Sequence, residues 1–160
     1  MKHCKIFMLI AFGFSLICLG DEPIQEQRMG YRESTPWEKH TGKGYDGFYK
    51  VALKQDPSNP EKFAEWTADL SETGRRYGIY ATWVADKANS RNASFDVFDA
   101  ERPVNRINVN QQQAPKGMLI KETRFQKLGV FSFTSRVIRI VLTSQPDGNV
   151  VSDSVLVNPE

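Results

Sequence analysis

Between residues 74 and 157 the chain is a succession of short apolar runs, each cut after about ten residues by turn-forming residues. The clearest run spans 76–85. Tyr77, Ile79, Ala81, Trp83 and Ala85 alternate there with Tyr80, Thr82 and Val84. A period of two puts the first set on one face of a strand and the second set on the other. The first face is expected to point inward, which makes Trp83 a structural residue. Similar runs at 47–53, 94–98, 105–110, 130–133, 137–143 and 150–157 read as further strands. Residues 55–60 hold two prolines in four residues and read as a loop, and Gln145-Pro146-Asp147-Gly148-Asn149 reads as a turn. Residues 63–70 suit a helix through Ala64 and Glu65 or a strand through Trp66 and Thr67; the strand is preferred, with Trp66 structural. Many strands and no convincing helix must bury their apolar faces on one another. The expected fold is an all-β antiparallel sandwich, of the jelly-roll kind found in carbohydrate-binding modules.

The ends of the chain bound what it does. Lys2 and Lys5 precede an apolar run from Ile6 to Leu19, and Cys18 and Gly20 place small residues three and one before polar Asp21. This is the layout of a signal peptide over 1–20, with an apolar run too short to span a membrane comfortably. Lipid attachment at Cys18 is disfavoured by bulky Ile17. Cleavage after Gly20 would remove both cysteines, so the exported chain has neither disulfides nor thiol chemistry. It would also remove Lys2 and Lys5 from the 21 basic residues, leaving 19 against 19 acidic ones. A neutral chain has no electrostatic basis for nucleic-acid binding. The expected location is secreted or otherwise extracytoplasmic, with membrane contact only through the signal segment.

Residues 21–43 are polar and aperiodic and read as a linker or arm, with the domain at 44–160. Tyr31 and Trp37 are the exceptions in the arm, and one of them is expected to dock on the domain.

Reaction chemistry is poorly supplied. The exported chain would keep one histidine, His40, in the arm. There is no cluster of zinc ligands, no phosphate-cradling glycine loop and no nucleophile elbow. A glycosidase needs two carboxylates facing each other across a sugar, and Asp96, Asp99, Glu101, Asp147 and Asp153 are expected to be surface or structural groups instead. No cofactor is expected. Asp86, Asn89, Asp147 and Asn149 carry oxygens that suit calcium, but these loops lack the spaced acidic pattern of a built site. Asn92-Ala93-Ser94 forms an N-glycosylation sequon in a predicted loop.

Aromatic residues are the richer signal. Most of the phenylalanines sit at strand positions and are expected in the core. Tyr45 and Tyr49 flank a glycine-rich stretch, and Tyr80 lies on the face opposite Trp83. A tyrosine can stack on the apolar face of a sugar while amides and guanidinium groups bind its hydroxyls. The ligand-binding candidates are therefore Tyr45, Tyr49, Tyr80, Asn89, Arg91 and Asn149.

Six segments, in order, resemble the golvesin / xanthan lyase carbohydrate-binding-like domain. Ala64-Glu65-Trp66-Thr67-Ala68-Asp69-Leu70 is similar to its Trp-Thr-Pro-x-Leu strand. Gly74 with Tyr77-Gly78-Ile79-Tyr80-Ala81-Thr82-Trp83 is similar to Gly-x-Tyr-x-Val-Tyr-Ala-x-Trp, and Asn89-Ser90-Arg91-Asn92-Ala93 to the loop after it. Val109-Asn110-Gln111-Gln112 resembles Val-Asp/Asn-Gln. Leu128-Gly129-Val130-Phe131-Ser132-Phe133 resembles Leu-Gly-x-Tyr/Phe-x-Phe, and Gly148-Asn149-Val150-Val151-Ser152-Asp153-Ser154-Val155 resembles Gly-x-Val-Val-Ala-Asp-Ala-Val. Phe125 stands where the family often has a tryptophan, and 114–126 is longer than usual. The resemblance implies a β-sandwich that binds without catalysis. A polysaccharide or cell-surface glycan is the expected partner, a protein partner or an envelope-structural role the alternative, and a small glycan hydrolase the remaining one. Asp153, on the last strand segment, is expected to be structural and satisfied by backbone N–H groups.

Overall fold

The structure, a computed structural model, describes residues 29–56, 58 and 61–160. The expected signal segment, with Cys4 and Cys18, lies outside the described residues. Twelve strands and no helix make up the described fold: β1 (Gly30–Glu33), β2 (Glu38–Thr41), β3 (Phe48–Ala52), β4 (Phe63–Asp69), β5 (Arg76–Ala81), β6 (Ala93–Asp99), β7 (Arg102–Val109), β8 (Met118–Ile120), β9 (Thr123–Ser132), β10 (Val137–Thr143), β11 (Val150–Ser152) and β12 (Val155–Pro159). All strand pairs are antiparallel. They form a five-stranded sheet in the order β1-β4-β10-β6-β7, a four-stranded sheet β12-β5-β9-β8 and a small sheet β11-β3-β2. The chain passes back and forth between the two larger sheets, and side chains from all three sheets make one core, the sandwich read from the sequence.

Period-two alternation builds that core. On β5, Tyr77, Ile79 and Ala81 are fully buried, and the same face continues past the strand to buried Trp83. In the large sheet, Ala64, Trp66 and Ala68 of β4 lie in register with Leu142, Ile140 and Ile138 of β10. Those in turn lie beside Phe95, Val97 and Asp99 of β6. The opposite face of this sheet carries charge. Glu65, buried although anionic, takes a two-point hydrogen bond from Arg32 and a third bond from Arg139. These bonds outweigh the upward push of burial and hold its carboxyl below the usual range.

Two elements differ from the sequence reading. Residues 30–41 are no linker, since β1 pairs along β4 and β2 along β3. Trp37, between them, is buried in the core, and among the described residues its indole N–H has no partner. Short strands of polar residues carry no periodic signal of their own, and their neighbours decide their pairing. The run 150–157 is two strands in two sheets, broken at Asp153 and Ser154.

Asp99 closes one end of the sandwich. Its fully buried carboxylate accepts bonds from Thr134 N–H and hydroxyl, Ser135 N–H and Arg102. Burial alone would raise its pKa; these donors outweigh burial and push it far below the ordinary carboxylate value. Asp99→Ala leaves buried donors without an acceptor and is expected to lower unfolding free energy by about 3 kcal/mol in urea denaturation.

Candidate functional site

The small sheet separates two concavities. The larger, of about 360 Å³, has aromatic walls from Tyr31, Tyr45, Phe48 and Trp66, with Asp46, Lys50, Ser152 and Asp153 as its main polar groups. Pairing of β1 with β4 sets Tyr31 opposite Trp66, ring centroids 5.4 Å apart. Trp66 is itself backed by Phe95, so the wall rests on the core. The Tyr31 hydroxyl donates to Glu33 Oε1 at 2.7 Å and shares a 3.0 Å hydrogen bond with Ser152 Oγ. Burial, reinforced by Glu33, keeps this phenol protonated well above its ordinary pKa. Glu33 also accepts from Trp37 N–H and Lys50 Nζ. Burial opposes ionisation of Glu33, but its three donors prevail and its pKa is lowered. Lys50 thus enters the concavity already paired, its ammonium 5.0 Å from the Tyr31 ring centroid.

Tyr45 comes from the loop between β2 and β3. Gly44 in this loop has φ +91°, and a Cβ there would sit 2.2 Å from Phe48 O, so only glycine makes the turn. The loop is held at Tyr45, whose ring meets buried Phe125 edge-on at 5.1 Å. Its N–H donates to both oxygens of Asp153, at 3.0 and 3.3 Å. Burial pushes the Asp153 pKa up to about 6; the Tyr45 N–H opposes the rise and neighbouring Asp46 adds to it.

The smaller concavity, of about 230 Å³, is lined by Tyr49, His40, Asn89 and Asn149 among others. His40 and Tyr49, cross-strand partners, stack at 5.1 Å with 17° between their planes. His40, read from the sequence as part of a loose arm, is fixed on β2.

The sequence candidates therefore disperse. Tyr45 reaches the larger concavity; Tyr49, Asn89 and Asn149 reach the smaller one. Tyr80 reaches neither: it points outward, its hydroxyl bonded to Glu160 and its ring beneath Lys127. Arg91 lines neither, and its guanidinium binds Gln112 Oε1. Asn89 is buried, and its amide donates to the carbonyls of Val84 and Gln111. Asn149 Oδ1 accepts the Lys54 N–H. Of the residues weighed for calcium, Asp147 accepts Ser90 Oγ and Arg91 N–H and Asp86 accepts Ala88 N–H, so these oxygens already serve the loop. Tyr31, Phe48, Lys50 and Ser152 were not among the candidates. Tyr31 stood out only as an aromatic residue in a polar arm.

Most motif segments meet in a framework beside both concavities. Gln111 is fully buried; its Nε2 donates to Val151 O and its Oε1 accepts Val151 N–H, each at 2.8 Å. Gln112 Nε2 donates to the carbonyls of Lys87 and Asn89, and Trp83 Nε1 donates to Gln113 O. Gly148 packs so closely on Asn89 and Ser90 that a Cβ would lie 2.6 Å from their backbone.

The chain matches the Golvesin C-terminal domain over residues 24–158. It belongs to that family. The golvesin match starts ahead of β1 and so takes in the strands of the supposed arm. Among solved structures, a Paenibacillus xanthan lyase shares the fold at a TM-score of 0.61 and 23% identity, over 81% of this chain and 12% of the lyase. No curated protein matches in sequence. No helix among the described residues is long and apolar enough to cross a membrane.

Asp153 gives the golvesin domain a pH signature. Its folded pKa of about 6 lies above the 3.8 of an unperturbed aspartate. Its contribution to stability is therefore full below about pH 3.8 and is lost as pH rises through about 6. Asp153→Asn keeps an acceptor for Tyr45 N–H without the buried charge. In thermal melts this variant is expected to equal or exceed the parent near pH 7.5, with the gap narrowing towards about pH 4. Asp153→Ala removes the acceptor and is expected to cost about 1 kcal/mol.

Proposed function

We propose that the chain is an exported, non-catalytic module that binds a carbohydrate in the larger concavity. The observation that carries this reading is the grouping of Tyr31, Tyr45, Phe48 and Trp66 around polar groups of fixed orientation. Sugars offer apolar C–H faces to aromatic rings and hydroxyls to polar groups, and such mixed linings suit them. Kinship in fold with a xanthan lyase domain supports a glycan over other small ligands. The signal-like residues 1–20 support export.

The duty of Asp153 supports binding over bond cleavage. Asp46 and Asp153 both line the concavity, but the Asp153 oxygens hold the loop that carries Tyr45. Stacking on Tyr31 and Tyr45, with hydrogen bonds from Ser152 and Lys50, would orient the sugar.

The test is affinity for a polysaccharide panel containing xanthan, cellulose, chitin and xylan. Tyr31→Ala and Tyr45→Ala are each expected to weaken binding about tenfold, about 1.4 kcal/mol, with the folded spectrum retained. Silence across the panel, with self-association in solution, would replace this reading with a protein-interaction module.

A further inference from the structure

We infer that the domain carries a second glycan site, in the smaller concavity on the opposite face of the small sheet, and is therefore divalent. The inference takes its ligand class from the proposed function.

Strand β3 makes the case. Its successive side chains alternate between the two concavities: Phe48 and Lys50 line the larger, Tyr49 and Val51 the smaller. Beyond the strand, Leu53 continues the second series. On β11, Ser152 faces the larger and Val151 the smaller, and on β2 Glu38 and His40 face the smaller. A strand presents alternate residues to opposite sides, so one sheet stands between the two sites. No single sugar unit can touch Phe48 and Tyr49 together.

The smaller concavity has its own means of recognition. Tyr49 and His40 stack on each other, which fixes both rings and leaves an outer ring face for a sugar, with the His40 side chain 39% exposed. Leu53, 58% exposed, adds an apolar shoulder. Glu38 and the side-chain NH2 of Asn149 supply hydrogen-bonding groups around it. At about 230 Å³ the space is below the ~300 Å³ where sites for drug-sized ligands begin, so it suits one sugar ring or a chain end. Two sites facing apart would bridge two polymer strands, and avidity on a dense glycan surface would exceed the affinity of either site.

The experiment is an amide NMR titration of the folded domain with cellohexaose, chitohexaose and xylohexaose, paired with turbidity of the domain mixed with the polymer of the responding probe. Divalence predicts two groups of shifts, one around Tyr45, Phe48 and Ser152 and one around Tyr49, Leu53 and Asn149. Tyr49→Ala is expected to weaken the second group's binding at least tenfold, leave the first intact and abolish cross-linking turbidity. Should that variant fail to fold, Leu53→Asp at the exposed rim is expected to do the same. Shifts around the larger concavity alone would overturn divalence and leave the proposed function standing. Shifts around neither, with all three probes, would overturn both.

Discussion

The side-chain amide of Gln111 does the work of a β-strand. Its donor and acceptor take up the carbonyl and N–H of Val151 as a neighbouring backbone would. The amide is fully buried, so its two bonds matter less for their net gain than for the cost of leaving either end unmade, about 1–3 kcal/mol per orphaned group. This clamp fixes β11 at a point where both faces of the strand are in use. Ser152 and Asp153 follow on one side and Val151 and Asn149 stand on the other. Were β11 to slip by one residue, every side chain would change faces, and both concavities would lose their walls. Backbone bonds from Gln111 to Ser90 and from Ser90 to Asn149 tie the same strand to the loop after Trp83.

The small sheet also depends on the N-terminal strands. β2 supplies His40, which stacks on Tyr49, while β1 brings Tyr31 over Trp66. Glu33 joins these pieces, since one carboxylate accepts bonds from the Tyr31 hydroxyl, Trp37 N–H and Lys50. It couples β1, the connection to β2 and the middle strand of the small sheet. The larger concavity is thus assembled from residues distant in sequence, and no local stretch contains it.

That distance explains what could be read in advance. The inward face of Tyr77, Ile79, Ala81 and Trp83 was legible because burial repeats with the strand period. The turn at 145–149 was legible because Pro, Asp and Gly favour it. The β8–β9 hairpin was not: its two-residue turn is Lys121-Glu122, both at positive φ, where glycine or asparagine usually gives the signal. Tyr45 was found because it follows a glycine-rich loop, whereas Tyr31 and Phe48 were missed because their shared wall exists only once β1 lies on β4 and β3 on β11. Asn89 misled in the other direction. An amide in a polar loop looks like a sugar ligand, yet here it is buried and the carbonyls of Val84 and Gln111 claim it.

The motif segments and the lining of the larger concavity therefore overlap only in part, and the two sets are under different constraints. Gln111, Trp83 and Asn89 are buried and hydrogen-bonded and Gly148 is closely packed, and substituting any of them disturbs the frame. Phe48 is 36% exposed and Tyr31 39% exposed, and neither belongs to the buried core. Trp66, Ser152, Asp153, Ser154 and Val155 belong to both sets, since they lie in the motif segments and line the concavity. A lining built mostly on the frame's surface can change its aromatic and polar groups at small cost to folding, while the backbone beneath stays fixed by the Gln111 clamp. Shared framework motifs therefore predict a shared fold, and they say nothing about the proposed ligand, whose contacts would come from Tyr31, Tyr45, Phe48 and the side chains facing them.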